Sequence, residues 1–288
     1  MRAIYKRELK SYFHSMIGYV FIAFLIAFTG VYFMAYNLNY GYPYFSYVLS
    51  GVLIVFIVAI PVLTMRSFAE ERKSKTDQML LTAPVSLFEV VMGKHMAMVS
   101  ILAVPCLVYL IFPLIIKTQG TAYILEDYMA IFIFFLLGCT YLSIGMFISS
   151  LTESQIIAAI ASFGILMLQY LWNGLLDMLP TSALSNMIGV LALFTLLILI
   201  IWHMTENVVI AGGLEVIALI GCIVTYAVKS SLYESALNTF FSKFYLAGTL
   251  DDIISNHLVD VSGIIMYLSL TVVFIYLTMQ MIQKRRWS

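Results

Sequence analysis

Eight stretches of this chain run for about 20 residues each with almost no charge, and that repetition restricts the fold more than any other feature. They are Ile17 to Tyr36, Tyr47 to Met65, Met96 to Ile116, Tyr128 to Ser150, Ile156 to Trp172, Asn186 to Trp202, Val208 to Val228 and Val261 to Ile282. A helix needs about 20 apolar residues to cross roughly 30 Å of hydrocarbon. In that medium a single segment can satisfy its backbone groups only as a helix. The expected fold is therefore all-α, a polytopic helical membrane protein forming one transmembrane domain over residues 1–288. Composition agrees, at 62% hydrophobic and 10% charged residues, where soluble domains have about 45–50% and about 25%.

The first stretch follows Arg2, Lys6, Arg7 and Lys10, an arrangement shared with secretory signals. It is longer than the roughly 7–15 residues of a signal core, and no small-x-small cleavage site follows, so a retained first span is expected. Ahead of it, Ile4, Tyr5, Leu9, Tyr12, Phe13 and Met16 recur at helical spacing, with Arg2, Lys6, Lys10 and His14 opposite. That pattern predicts an amphipathic helix over 2–15 lying in the membrane interface.

Lys and Arg set the orientation. With both termini inside, Arg2, Lys6, Arg7, Lys10, Arg66, Arg72, Lys73, Lys75, Lys94, Lys284, Arg285 and Arg286 face the cytoplasm, and only Lys117, Lys229 and Lys243 lie outside. The asymmetry fits the positive-inside rule for a multi-pass protein of the cell membrane with cytoplasmic termini. The turn His203 to Asn207 contains no Lys or Arg, so six spans plus two re-entrant segments fit the charges equally well. A formal net charge of zero gives no basis for nucleic-acid binding. Cys106, Cys139 and Cys222 fall in apolar runs without CxxC spacing and read as packing residues.

The longest polar segment between spans, 66–95, carries a helix stop and a helix start. Pro84 ends one helix, because its ring has no N–H and displaces the preceding residue from the α region. Ser86 is then an N-cap, Glu89 completes an S-x-x-E capping box, and Val85 with Val90 forms a hydrophobic staple. Upstream, Thr76 to Leu81 has the makings of a short helix whose Met79, Leu80 and Leu81 are too apolar for open water. Either lipid headgroups or another protein should cover them.

The run Arg66, Phe68, Ala69, Glu70, Glu71, Arg72, Thr76, Leu80, Leu81, Ala83, Pro84, Val85, Ser86, Glu89, Gly93, Lys94 resembles the signature of type 2 ABC exporter permeases. Within them it is most similar to the gliding-motility and copper-maturation branch. Phe240, Phe241, Phe244, Gly248, Leu250 and Asp251, with the tail Lys284, Arg285, Arg286, Trp287, are similar to that branch's C-terminal pattern. The resemblance implies a permease subunit that pairs with a second copy or a paralogue and binds separate ATP-binding subunits on its cytoplasmic face. ATP and Mg would sit on those partners, with no cofactor on this chain. It further implies docking through the interfacial helix, with Lys6, Arg7 and Lys10, and through a coupling helix containing Thr76, Asp77, Leu80, Leu81, Pro84, Ser86 and Glu89. The apolar length between Asn186 and Val228 departs from the branch's usual six spans.

The chain has no GxxxxGK[ST] phosphate loop. It also lacks HExxH, a nucleophile elbow and paired-histidine metal spacing, so no catalytic or metal residues are assigned. Glu215 is the costly residue, since a carboxylate at mid-membrane costs about 2.5–3.5 kcal/mol. It either faces a pathway, with His203 as a gating partner, or sits hydrated or hydrogen-bonded in the bundle. An ion-coupled secondary transporter built on Glu215 is the alternative function, although no internal repeat accompanies it. Gly145, Ala158, Ala159, Ala161 and Gly164 are small enough for close helix packing. In the outer segment 229–260, Leu232, Ala236, Leu237, Phe240, Phe241, Phe244 and Tyr245 predict one apolar helical face. Gly248 should end that helix and Thr249 with Asp252 cap another. It is an anchor for the last span or an external lid. Tyr36, Tyr40, Tyr42, Tyr44 and Tyr47 read as an aromatic belt.

Overall fold

The computed structural model describes residues 1–76, 85–256 and 260–287, with side chains through residue 284. Among them there is no strand, and eight helices are long and apolar enough to cross a membrane. The helices are α1 (Arg2–His14), α2 (Ile17–Phe33, continued by a π turn, Met34–Asn39), α3 (Ser46–Thr64), α4 (Ala69–Lys73) and α5 (Leu87–Tyr109). They continue as α6 (Ile111–Gln119), α7 (Ile124–Leu151), α8 (Gln155–Leu176), α9 (Ala183–Thr205), α10 (Val208–Val228), α11 (Ala236–Ser242), α12 (Gly248–Asn256) and α13 (Val261–Trp287). The chain divides into two compact units, residues 1–170 with 246–288, and residues 171–245.

In the larger unit α3 and α7 form the centre. Their apolar windows are 67% and 72% buried, and α7 packs on α3, α5 and α13. Close approach has a side-chain cause: a Cβ on Gly145 of α7 would run into the Thr64 side chain of α3. Phe56 and Phe134 stack across the same contact, 4.6 Å between centroids. Two hydroxyls inside this bundle find partners within it. Thr29 donates to Tyr109 Oη at 2.9 Å, and Tyr109 donates to Leu25 O at 3.4 Å.

Helix α7 also fixes both ends of α3. Asp127, fully buried, accepts through Oδ1 from the backbone N–H groups of Phe45 (2.7 Å) and Ser46 (3.2 Å), which open α3. The free donors of a helix start are thereby capped from another helix. At the other end Ser149 Oγ accepts from Phe68 N (3.2 Å) and Ala69 N (3.1 Å) and donates to Met65 O (3.1 Å).

The Ser86 cap starts the helix of the third span earlier than its apolar run, while the Glu89 carboxylate turns to the N-terminal amine instead of closing the box. Ser86 accepts from Glu89 N at 3.2 Å and α5 begins at Leu87, so the helix start expected at Ser86 and the apolar run expected from Met96 belong to one helix, with Lys94 and His95 inside it. The tyrosines form a contiguous cluster: Tyr36 and Tyr42 rings lie 6.2 Å apart, Tyr44 and Tyr47 6.0 Å, and Tyr44 stacks on Tyr123 at 4.5 Å.

The smaller unit is a long hairpin of α9 and α10, of 23 and 21 residues. At about 1.5 Å per residue each is long enough to cross. Asn207 caps α10 through Val209 N (3.0 Å) and Ile210 N (3.3 Å). Buried Asn186 donates to Pro180 O (2.7 Å) and Ser182 O (2.9 Å) and accepts from Leu237 N (3.0 Å), holding α11 to the base of α9.

The segment 229–260 corrects one expectation. A single apolar helix through Tyr245 does not form, because Ser235 takes φ 54° and separates a 3-10 turn, Ser230–Tyr233, from α11. Gly248 opens α12 instead of ending a helix, and Thr249 is buried within a Cβ's reach of Gly263 on α13 instead of capping.

Candidate functional site

The charged segment after α3 and the N-terminal helix meet at one end of the larger unit. Helix α1 packs along α5, with Ile4, Glu8 and Tyr12 on its buried side. Those three recur at i, i+4 and i+8, one face of a helix. Ile4 approaches Gly93 so closely that a Cβ there would lie 3.1 Å from Ile4 Cγ2.

One turn further along α1, four charges form a closed set. Lys94 Nζ, with its side chain 2% exposed, lies 3.2 Å from Glu8 Oε1 and 2.9 Å from Glu71 Oε1. Arg7 Nη2 contacts the same two oxygens, at 2.7 Å and 2.9 Å. The Phe68 ring lies 5.2 Å from Lys94 Nζ, within cation–π range. Two cations and two carboxylates balance, which is the condition under which buried charge is tolerated. Partial burial lowers the Arg7 pKa, but the hydrogen bonds Arg7 donates to Glu8 and Glu71, with their negative charges, together outweigh it and raise the pKa above its ordinary value.

The set joins α1 (Arg7, Glu8), α4 (Glu71) and α5 (Lys94). Two further bonds flank it. Tyr5 Oη and Ser100 Oγ are 3.0 Å apart, and Tyr12 donates to Leu63 O at 3.1 Å, reaching α3. Arg66, in the turn before α4, forks onto Glu70 at 2.5 and 2.7 Å, and the buried Arg72 of α4 donates to Thr152 O at 3.5 Å.

Of the residues assigned to coupling, Ser86 caps α5, while the Glu89 carboxylate faces the N-terminal amine at 3.4 Å. Thr76 is exposed, with its N–H on Glu71 O at 2.9 Å. Asp77, Leu80, Leu81 and Pro84 lie outside the described residues, as does the short helix expected over Thr76 to Leu81. Lys6 and Lys10 are exposed on α1, and Arg7 belongs to the four-charge set.

The structure does not bring Glu215 and His203 together. Thr195 donates to Glu215 Oε1 at 2.7 Å, across the α9–α10 hairpin. Thr195 is eight residues from His203, about 12 Å along the helix. His203 lines a cavity of about 500 Å³ at the hairpin turn with Leu199, Trp202, Glu206 and Val208.

Glu8 is the central residue that the sequence pattern missed. Its signal was present, as the lone acid of a basic helix placed on the apolar face with Ile4 and Tyr12. Among the described residues no group of three or more His, Cys, Asp or Glu is disposed to hold a metal ion.

A family model described as ABC-2 family transporter protein matches residues 4–286. No curated protein and no solved structure matches the chain.

Proposed function

The chain belongs to the ABC-2 family of transporter proteins, and from that premise we propose that it is the permease subunit of an ATP-driven exporter of the gliding-motility and copper-maturation type. In this reading both termini face the cytoplasm, the protein lies in the cell membrane, and a second copy or a paralogue completes the pathway. A separate subunit binds and hydrolyses ATP with Mg, docking on α1 and on the loop 66–95. Its closure pushes that surface, and the push reaches the spans.

The observation that carries this reading is the four-charge set in which the buried Lys94 and the largely buried Glu8 and Glu71 are closed off by the half-exposed Arg7. Surface charges alone would leave α1 a loosely held amphipathic helix. A four-charge joint to α4 and to the first turns of α5 ties the proposed docking surface to membrane-crossing elements. Glu215 has a hydrogen-bond donor in Thr195, which offsets part of its cost in the membrane without a coupling ion.

The test is purification of the tagged chain from its native membranes, with partner identification by mass spectrometry and an ATPase assay. Lys6→Glu with Lys10→Glu, and Ser86→Pro with Glu89→Lys, serve as interface variants. A stoichiometric nucleotide-binding partner that both variants lose supports the reading. Recovery of the intact chain alone, without ATPase activity, overturns it and favours a secondary transporter centred on Glu215.

A further inference from the structure

The α9–α10 hairpin, residues 183–228, contains two carboxylates, Glu206 and Glu215, and no Lys or Arg. Thr195 serves Glu215. Glu206 stands at the turn, and its carboxylate has no hydrogen-bond or ion-pair partner among the described residues. It lines an open hollow of about 500 Å³ between the exposed side chains of Leu199, Trp202, His203 and Val208. The walls therefore combine an unpaired anion, an indole face, an imidazole and two aliphatic side chains.

The backbone at Glu206 makes this more than a stray surface charge. Its φ is 53°, the left-handed region, and its N–H closes on Trp202 O at 2.7 Å. A helix that ends this way normally uses Gly or Asn there, because a side chain in this conformation costs about 1–2 kcal/mol. A carboxylate thus occupies a position where glycine would stop the helix with less strain. The strain points to a task for the side chain.

The hairpin's length puts the turn where headgroups lie. Each arm is long enough to span the hydrocarbon, so the turn between them reaches the polar layer. Trp202 is also of the type that settles at that level. We infer that this cavity binds the headgroup of a zwitterionic phospholipid, an ethanolamine or choline lipid, with Glu206 and the Trp202 face taking the ammonium. His203 offers a ring N–H to the phosphate, since a neutral imidazole always carries one. Leu199 and Val208 pack on the glycerol and upper acyl carbons. An anionic lipid has no cation to meet here, and its headgroup would face Glu206.

The experiment purifies the full chain in a mild detergent and exposes it to equimolar ethanolamine, choline and glycerol phospholipids with identical acyl chains. Retained lipid is then read by native mass spectrometry. An ion pair and a cation–π contact at a partly exposed site together favour the zwitterionic lipids on the order of tenfold over the glycerol lipid. Glu206→Gln and Trp202→Leu each remove most of that preference. Glu206→Gly removes it as well while relieving the backbone, so its thermal stability equals or exceeds wild type, which separates lost binding from lost folding. Equal retention of the glycerol lipid by wild type, or an unchanged preference in Glu206→Gly, overturns the inference.

Discussion

Replacing Lys94 with Met tests the four-charge joint directly, because Met keeps the length and apolar stem of the side chain and deletes only the cation. Two carboxylates, 12% and 16% exposed, would then share Arg7 alone, whose side chain is 52% exposed. Removing one partner of a buried ion pair costs about 3–5 kcal/mol. Arg7 remains as a hydrated counter-charge, so we expect the lower end, about 3 kcal/mol, or roughly two decades in the folded-to-unfolded ratio. Glu89→Gln, which opens the exposed pair with the N-terminal amine, should cost about 0–1 kcal/mol. The assay is denaturation of the purified protein in detergent, followed by tryptophan fluorescence. Adding Glu8→Gln to Lys94→Met removes the excess anion and should restore part of the loss, so the two changes are strongly non-additive. Lys94→Met matching Glu89→Gln, or simple additivity with Glu8→Gln, would refute the joint.

Asp127→Ala deprives the start of α3 of both its side-chain acceptor bonds and should cost about 1–3 kcal/mol. Asp127→Asn keeps an acceptor oxygen and should stay near wild type in the same unfolding assay. Gly145→Val drives a side chain into Thr64 and should cost about 1–3 kcal/mol. At Gly164 an added Cβ meets nothing within 4 Å, and a mid-helix Gly is less favourable than Val, so in the isolated chain Gly164→Val should unfold at or slightly above wild-type stability. Glu215→Gln keeps an acceptor for Thr195 and should leave expression and transport unchanged, whereas a transport-dead Glu215→Gln protein that folds normally would move the carboxylate into the pathway.

The local features of this fold were legible because they need only neighbours in sequence. Ser86 and Glu89 announced the start of α5 within four residues, and the spacing of Ile4 and Tyr12 drew α1. The eight helices long and apolar enough to cross a membrane followed from apolar length alone. What escaped was long-range pairing. Residues 8, 71 and 94 meet only after α1 lies along α5 and α4 returns beside it, and no local pattern encodes that. The Thr195 to Glu215 bond depends on the register of a hairpin, which set the reading of His203 as a gating partner two turns astray. Gly248 was misjudged because a glycine between two short helices serves equally as a stop or a start, and here α12 packing on α7 and α3 decides for the start.

An ionic joint at α1 has a physical reason that an apolar one would lack. In the proposed placement of α1 at the membrane surface, lipid chains solvate an apolar face as well as a neighbouring helix does, so apolar contact alone sets no register. Helix α1 could slide along α5 at little cost if Ile4 and Tyr12 were its only ties. The charges remove that freedom. Each of two carboxylate oxygens is shared by two cations at 2.7–3.2 Å, and a one-residue slip would carry Glu8 off the buried face and leave Lys94 half paired. Tyr5 on Ser100 and Tyr12 on Leu63 O add one fixed point on α5 and another on α3. With fixed points on α3, α4 and α5, α1 can neither rotate nor slide alone. Any displacement of α1 must therefore be taken up by the second and third spans together.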